Sequence, residues 1–126
     1  MKSLKFEAVF GVNEGYFHNN ENRNILENIS KIWQKKAKDI FEQTNIYISA
    51  VITLSKVVYH REWGCPDTGE DVIVITSSAN PEFIKDIDLW KEVSIKILKD
   101  MQKELKQSRV SVNFFEVNDF IYLQES

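Results

Sequence analysis

Apolar and polar residues alternate strictly at the start of the chain. This alternation places Leu4, Phe6, Ala8, Phe10 and Val12 on one face. A period of two with one apolar face is typical of a half-buried strand. The period then lengthens to three and four residues over 21–43, which predicts a long amphipathic helix. Its apolar stripe comprises Ile25, Leu26, Ile29, Ile32, Trp33, Ala37, Ile40 and Phe41.

The second half of the chain repeats this strand and helix pattern. Residues 46–61 are rich in β-branched and aromatic side chains and predict a strand, and residues 71–78 predict a shorter one. Asn80-Pro81 suits the start of a helix that runs to about Gln107, with Asp86 or Asp88 able to restart it after a short first turn. Residues 109–117 predict a last strand, and the tail 120–123 a possible further short strand.

The predicted element order is β-α-β-β-α-β, without repeats or linkers. Helices with one apolar stripe and strands with one apolar face pack as a two-layer α+β sandwich. We therefore predict a single ferredoxin-like domain over residues 1–126, with a mostly antiparallel sheet and both helices on one face.

The predicted second strand is longer than its partner. Its side chains change parity at Lys56, so we expect a β-bulge near residues 55–57. If Arg61 faces Asp71, then Leu54 faces Ser78 and residues 46–53 have no partner in the next strand. Exposed strand edges promote association, so we expect the tail 120–124 or a second subunit to cover them.

The helix-free face of the sheet is predicted to be unusually apolar. It would carry Val9, Tyr47, Val51, Phe115 and Val117. Exposed apolar patches commonly mark an interface, so we predict a homodimer that packs sheet to sheet. The alternative is a monomer whose tail folds over the same patch.

Composition excludes several classes of partner. Lys and Arg total 16 against 19 Asp and Glu, a net charge of −3, so we predict no nucleic-acid binding. No apolar stretch is long enough for a membrane span, and a single cysteine among 126 residues favours a reducing, cytoplasmic location. The sequence predicts no cofactor.

Residues with useful chemistry gather in the loop between the second and third strands. Residues 59–71 hold one of two histidines, the only cysteine and four carboxylates. In the predicted topology, this loop, the first strand-to-helix loop and the start of the last strand lie at one end of the sheet. The candidate ligand-binding residues are therefore Tyr16, His18, Trp63, Cys65 and Arg109.

Two kinds of chemistry are compatible with this cluster. His60 beside Glu62 or Glu70 would form a proton-transfer pair, which makes these three the candidate catalytic residues. His18, His60 and Cys65, with Glu62 or Glu70, form a set of donors suited to zinc. They lack any familiar metal-binding spacing, so we predict no metal site. A reactive Cys65 would need a nearby cation to lower its pKa, and Arg61 is the one candidate.

The segment Gly11-Val-Asn-Glu-Gly15, after the first strand of a βαββαβ order, loosely resembles the loop of acylphosphatases. Where that family has its substrate-binding arginine, this chain reads Phe17-His18-Asn19. The resemblance therefore implies the fold and does not imply the activity.

Three functions remain open from the sequence. The leading one is a non-catalytic, dimeric module that binds a small ligand or a protein partner. The second is a small enzyme that uses His60, Glu62 or Glu70 with His18 for proton transfer or metal-assisted chemistry. The third is an inhibitor or immunity-type protein that acts through the acidic hairpin.

Overall fold

The computed structural model describes residues 1–12 and 25–125. Within these ranges the chain forms two helices and four strands. The strands are β1 (Ser3–Gly11), β2 (Val51–Val57), β3 (Glu70–Ser78) and β4 (Val110–Val117). The helices are α1 (Ile25–Thr44) and α2 (Ile87–Glu104). The first four residues of the predicted helix 21–43 lie outside the described residues.

The sheet has the order β2-β3-β1-β4, and all neighbouring strands are antiparallel. Both helices cover one face, where the alternate residues Phe6, Ala8 and Phe10 of β1 are fully buried. The predicted ferredoxin-like α+β sandwich is confirmed.

Aromatic rings form the centre of the core, between the helices and β1. Phe6 contacts Trp33 of α1, Trp90 of α2 and Phe114 of β4, with ring centroids 6.4, 5.8 and 5.9 Å apart. Aromatic pairs at such distances contribute about 0.5–1.5 kcal/mol beyond the area they bury. Both tryptophans on the predicted helix stripes are therefore core residues.

Helix α2 begins at Ile87, later than the start predicted at Asn80-Pro81. Asn80 starts a separate turn, in which its carbonyl accepts the N–H groups of Phe83 and Ile84. The helix itself is capped by Asp86, whose Oδ1 accepts the backbone N–H of Leu89 at 3.0 Å. The prediction of a short first turn followed by a restart at Asp86 is confirmed.

The predicted pairing of β2 and the predicted bulge are both wrong. Lys56, not Arg61, lies opposite Asp71, and Leu54 lies opposite Ile73. The register is continuous from Val51 to Val57, with no extra residue. Lys56 instead keeps its place on the helix-facing side at the sheet edge, where its Nζ lies 2.8 Å from Asp71 Oδ1. The cross-strand ion pair thus explains why a charged residue, Lys56, follows Ile52 and Leu54 on the same face of β2.

Residues 46–50 are not part of the strand. The hydroxyl of Thr44 accepts the backbone N–H of Ile46 just after α1, and Ile48 is buried in the core. This segment lies against α1, so Tyr47 does not lie on the open sheet face as predicted; it lines a groove with Trp33.

The tail 118–125 contains no strand, so it does not pair with β2. The backbone of Phe120 exchanges hydrogen bonds with Met1. Further along, the ring of Tyr122 packs edge-on against Phe83 at 5.8 Å. The tail therefore lies at the end of the sheet where β1 starts. No helix in the described part of the chain is long and apolar enough to cross a membrane.

Candidate functional site

The connection between β2 and β3 is built by side chains that satisfy its own backbone. His60 Nδ1 accepts the N–H of Glu62 at 3.1 Å and so caps one turn of 3₁₀ helix at Arg61–Trp63. Gly64 ends that turn in the left-handed region, with φ of 96°. The imidazole therefore has a local structural role, and its ring lies 5.9 Å from that of Trp63.

Cys65 is the buried centre of this loop, with 7% of its surface exposed. Its Sγ accepts the backbone N–H of Tyr59 at 3.4 Å and donates to the carbonyl of Pro66 at 3.3 Å. A buried thiol with these two backbone partners holds the two arms of the loop together. Its position thereby fixes where Tyr59 leaves β2.

Tyr59 and Glu70 form a side-chain pair across the mouth of the hairpin. The Tyr59 hydroxyl donates to Glu70 Oε1 at 2.5 Å. Because this hydrogen bond to the carboxylate favours the neutral phenol, the pKa of Tyr59 is raised above its ordinary value of 10.0. At neutral pH the pair is therefore a hydroxyl donor fixed against a carboxylate.

This pair lies in a cleft of about 840 Å³ at one end of the sheet. The cleft crosses all four strands or their ends, on the face without helices. Its lining is Val9, Gly11, Val12, Val57, Tyr59, Pro66, Glu70, Asp71, Val72, Gln107, Ser108, Arg109 and Ser111. An apolar floor with a few polar groups is the usual composition of a small-molecule site.

Alternation along the strands places charges of opposite sign in this cleft. Glu70 shares its face with Val72, and Arg109 shares its face with Ser111, which is paired with Val9 of β1. Since Val72 and Val9 both belong to the helix-free face, Glu70 and Arg109 project to that side. Asp71 points the other way and is paired with Lys56. The cleft thus holds a carboxylate and a guanidinium on separate strands.

A second groove, of about 760 Å³, lies between α1 and residues 47–52. Its described lining includes Trp33, Phe41 and Ile52 but no carboxylate, histidine or cysteine. Of these two cavities, only the cleft has carboxylates in its described lining.

The family of the chain follows from comparison with known proteins. The family model described as SAM lyase matches residues 1–124. The chain belongs to the SAM lyase family. No curated protein matches it in sequence.

A solved structure agrees with the fold of this SAM lyase family member. A phage SAM lyase in complex with S-methyl-5'-thioadenosine superposes with a TM-score of 0.52, at 12% identity. The match covers 96% of this chain and 93% of that one. At this identity the likeness shows the fold.

Membership in the SAM lyase family changes the preferred function. The non-catalytic module was the leading prediction from sequence and the small enzyme was its alternative, and the family supports the enzyme. No group of three or more potential metal ligands occurs among residues 1–12 and 25–125. Tyr16 and His18, two predicted ligand-binding residues, lie outside these ranges.

The structure brings together only some of the predicted site residues. Glu70 and Arg109 line the cleft, whereas His60, Glu62, Trp63 and Cys65 are not part of its lining. Trp63 projects from the loop with 80% of its surface exposed. Sequence reasoning missed Tyr59 as a site residue. The predicted register did not place Tyr59 near Glu70, whereas the observed one does, because Tyr59 lies two residues after Val57, which pairs with Glu70.

Proposed function

We propose that this chain cleaves S-adenosylmethionine and releases 5'-methylthioadenosine, with the cleft around Tyr59 and Glu70 as its active site. The observation that carries the proposal is the family match over residues 1–124. The cleft names the residues whose substitution tests the proposal. The structural neighbour, a phage SAM lyase, was solved with that nucleoside bound.

The proposed reaction breaks the bond between the sulfonium sulfur and Cγ of the methionine moiety. The electron pair of that bond goes to sulfur, so a cation becomes the neutral thioether of the nucleoside. A lyase reaction adds no water, so the four-carbon fragment must replace the lost bond at Cγ with a bond formed within the fragment itself. It can do so by ring closure, in which its own carboxylate oxygen bonds to Cγ and gives homoserine lactone. It can also lose a proton from Cβ and give 2-aminobut-3-enoate.

The described carboxylates of the cleft favour ring closure. Elimination needs a base, but Glu70 accepts the Tyr59 hydroxyl and Asp71 is paired with Lys56. In the proposed site Glu70 also binds the ammonium of the substrate through its remaining acceptor positions, so neither carboxylate is free to act as that base. Ring closure needs no protein base, only a conformation that brings the carboxylate to Cγ, and well-oriented intramolecular reactions have effective molarities of about 10⁵–10⁸ M.

Glu70 would act by binding the cationic end of the substrate. The substrate carries an ammonium and a sulfonium, and Glu70 is the anionic group on the helix-free side of the cleft. Tyr59 fixes the direction of this carboxylate and remains a neutral hydroxyl, because its pKa is raised. A fixed anion that receives the ammonium would set the conformation of the aminocarboxypropyl chain.

The test is incubation of the purified protein with S-adenosylmethionine and product analysis by liquid chromatography and mass spectrometry. Wild-type protein should release 5'-methylthioadenosine together with homoserine lactone. Loss of a hydrogen bond to a charged group lowers binding by about 10- to 100-fold, so Glu70→Gln should reduce kcat/KM by at least that factor. Glu92→Gln, at an exposed carboxylate on α2, is the matched control.

Isotope labelling distinguishes the chemical routes. In H₂¹⁸O, ring closure followed by opening of the lactone places ¹⁸O in the carboxylate of homoserine, and direct hydrolysis places it in the hydroxyl. Detection of 2-aminobut-3-enoate would instead show elimination. Failure to consume S-adenosylmethionine, or a Glu70→Gln variant as active as the control, would overturn the proposed site.

A further inference from the structure

Arg109 is the cationic residue in the described lining of the cleft. It immediately precedes β4, and its side chain is exposed. In the described part of the chain, no carboxylate lies within ion-pair distance of its guanidinium. An arginine that lines a cleft and has no such partner is available for an anionic group of a ligand.

The position of Arg109 relative to Glu70 limits the kind of anion. Glu70 begins β3 and Arg109 precedes β4, with β1 between these strands. Two strand spacings separate their backbones by about 10 Å across the sheet, and both residues line the same cleft on the helix-free face. A carboxylate and a guanidinium that line one cleft suit a ligand end that carries both an ammonium and a carboxylate.

We propose that Arg109 binds the α-carboxylate of S-adenosylmethionine and thereby selects substrates with an intact amino acid end. This inference rests on the proposed function, because it assigns the second charged group of the same site. Glu70 would hold the ammonium, and Arg109 would hold the carboxylate on the opposite side of the cleft.

The contact has a consequence for turnover. A guanidinium bound to one carboxylate oxygen leaves the other oxygen free and fixes its direction toward Cγ. Ring closure converts the carboxylate into a neutral ester, so the charge that Arg109 bound is lost in the product. The contact is therefore stronger with substrate than with lactone, which favours product release.

Decarboxylated S-adenosylmethionine is the probe that isolates this contact, since it keeps the sulfonium, the ammonium and the nucleoside. Its binding and that of S-adenosylmethionine should be measured by calorimetry with the Glu70→Gln variant and with an added Arg109→Gln change. A charged hydrogen bond corresponds to about tenfold or more in affinity, so the single variant should prefer the carboxylated ligand by that factor. The double variant should bind both ligands equally.

Kinetic measurements on otherwise wild-type protein complete the test. Arg109→Gln should raise KM for S-adenosylmethionine about tenfold or more and also lower kcat, with partial recovery in Arg109→Lys. The affinity for 5'-methylthioadenosine, which has no carboxylate, should be unchanged. Lys96→Gln, at an exposed cation on α2, is the control for loss of one positive charge.

The outcomes separate the two proposals. If S-adenosylmethionine is cleaved but Arg109→Gln keeps the wild-type KM and the preference for the carboxylated ligand, the role of Arg109 is wrong and the proposed function stands. If wild-type protein neither binds nor cleaves S-adenosylmethionine, both are wrong. Equal loss of 5'-methylthioadenosine binding in Arg109→Gln would also reject the assignment, because it would locate Arg109 at the nucleoside end.

Discussion

Tyr59 and Glu70 depend on each other, and their titration reports this directly. The hydrogen bond to Glu70 raises the pKa of Tyr59 above 10.0, so replacement of the carboxylate in Glu70→Gln should lower that pKa toward 10.0. The measurement is an ultraviolet titration of the phenolate, in which the spectrum of Tyr59→Phe is subtracted to isolate Tyr59. Tyr47→Phe, which removes an exposed tyrosine far from the pair, should leave the raised titration in place.

The same shift predicts where stability depends on pH. Because the pKa of Tyr59 is higher in the folded than in the unfolded protein, its contribution is fully present below pH 10. It is lost as pH rises through the folded-state value. The free energies of unfolding of wild-type protein and Tyr59→Phe, measured by denaturation at each pH, should therefore differ by a constant amount from neutral pH to about pH 9. The two values should converge above pH 10. Convergence below pH 9 would contradict this sign.

The sequence indicated part of the proposed site at this scale. Glu70 and Arg109 could be placed at one end of the sheet from topology alone, and both line the cleft. His60 was assigned to catalysis because histidine titrates near neutrality, yet its Nδ1 caps a turn. That outcome depends on loop geometry, which residue type does not encode. Tyr59 was missed because its hydroxyl gains a role only in the observed register.

At the scale of elements, the β2–β3 connection depends on Gly69 for two reasons. Its backbone is left-handed, and a larger side chain would not fit beside Val57. Gly69 has φ of 91°, and a Cβ there would lie 2.6 Å from the carbonyl oxygen of Val57. Gly64 has a similar φ of 96° but open space around it. Gly64→Ala should therefore cost about 1–2 kcal/mol of unfolding free energy for the left-handed conformation, and Gly69→Ala clearly more.

Urea denaturation of both alanine variants measures this difference. Because Glu70 directly follows Gly69, the Gly69→Ala variant should also lose activity toward S-adenosylmethionine, while Gly64→Ala keeps most of it. Equal destabilisation of the two variants would show that the contact with Val57 does not limit the loop.

The capping of α2 is a second prediction at this scale. Asp86 Oδ1 accepts the N–H of Leu89, so Asp86→Ala should lower the free energy of unfolding by about 1 kcal/mol. Asp100→Ala, at an exposed position inside the helix, should change stability by much less. The midpoints of urea denaturation would show this. A loss in Asp100→Ala as large as that in Asp86→Ala would contradict a role of the cap.

The elements were predicted correctly where a segment showed only one periodic pattern of apolar residues. The alternation of β1 and the stripe of α2 each had a single interpretation, and Asp86, which caps α2, was one of the two restart positions predicted after Asn80. Residues 46–50 were assigned to a strand because β-branched residues favour that conformation, but Ile48 is buried against α1 instead. Local propensity cannot distinguish an extended segment that packs on a helix from one that pairs in a sheet. The same limit shifted the β2–β3 register by five residues, since the capped turn at Arg61–Trp63 belongs to the loop.

At the scale of the molecule, the helix-free face is the surface available for self-association. Val51 and Phe115 lie on it, with 64% and 45% of their surfaces exposed. Lys5 and Glu7 of β1 share this face by alternation, so its apolar patches are separated by charges. The cleft lies at the other end of this face from Val51 and Phe115, so a second copy packed over these two residues leaves Tyr59 and Glu70 accessible.

A homodimer through this face stays a prediction, and size-exclusion chromatography with light scattering tests it. Wild-type protein should elute at twice the 14.8 kDa of the chain. Val51→Lys places a charge on the exposed face without filling buried space, so it should shift the mass to that of one chain while the urea midpoint of the monomer stays unchanged. Leu123→Lys changes a residue of the tail, outside the sheet, with 87% of its surface exposed, and should not alter the mass. A single-chain mass for wild-type protein at high concentration would reject self-association. A mass of three or more chains would keep the face as an interface but reject the two-fold arrangement, because two copies packed sheet to sheet leave neither open face available to another subunit.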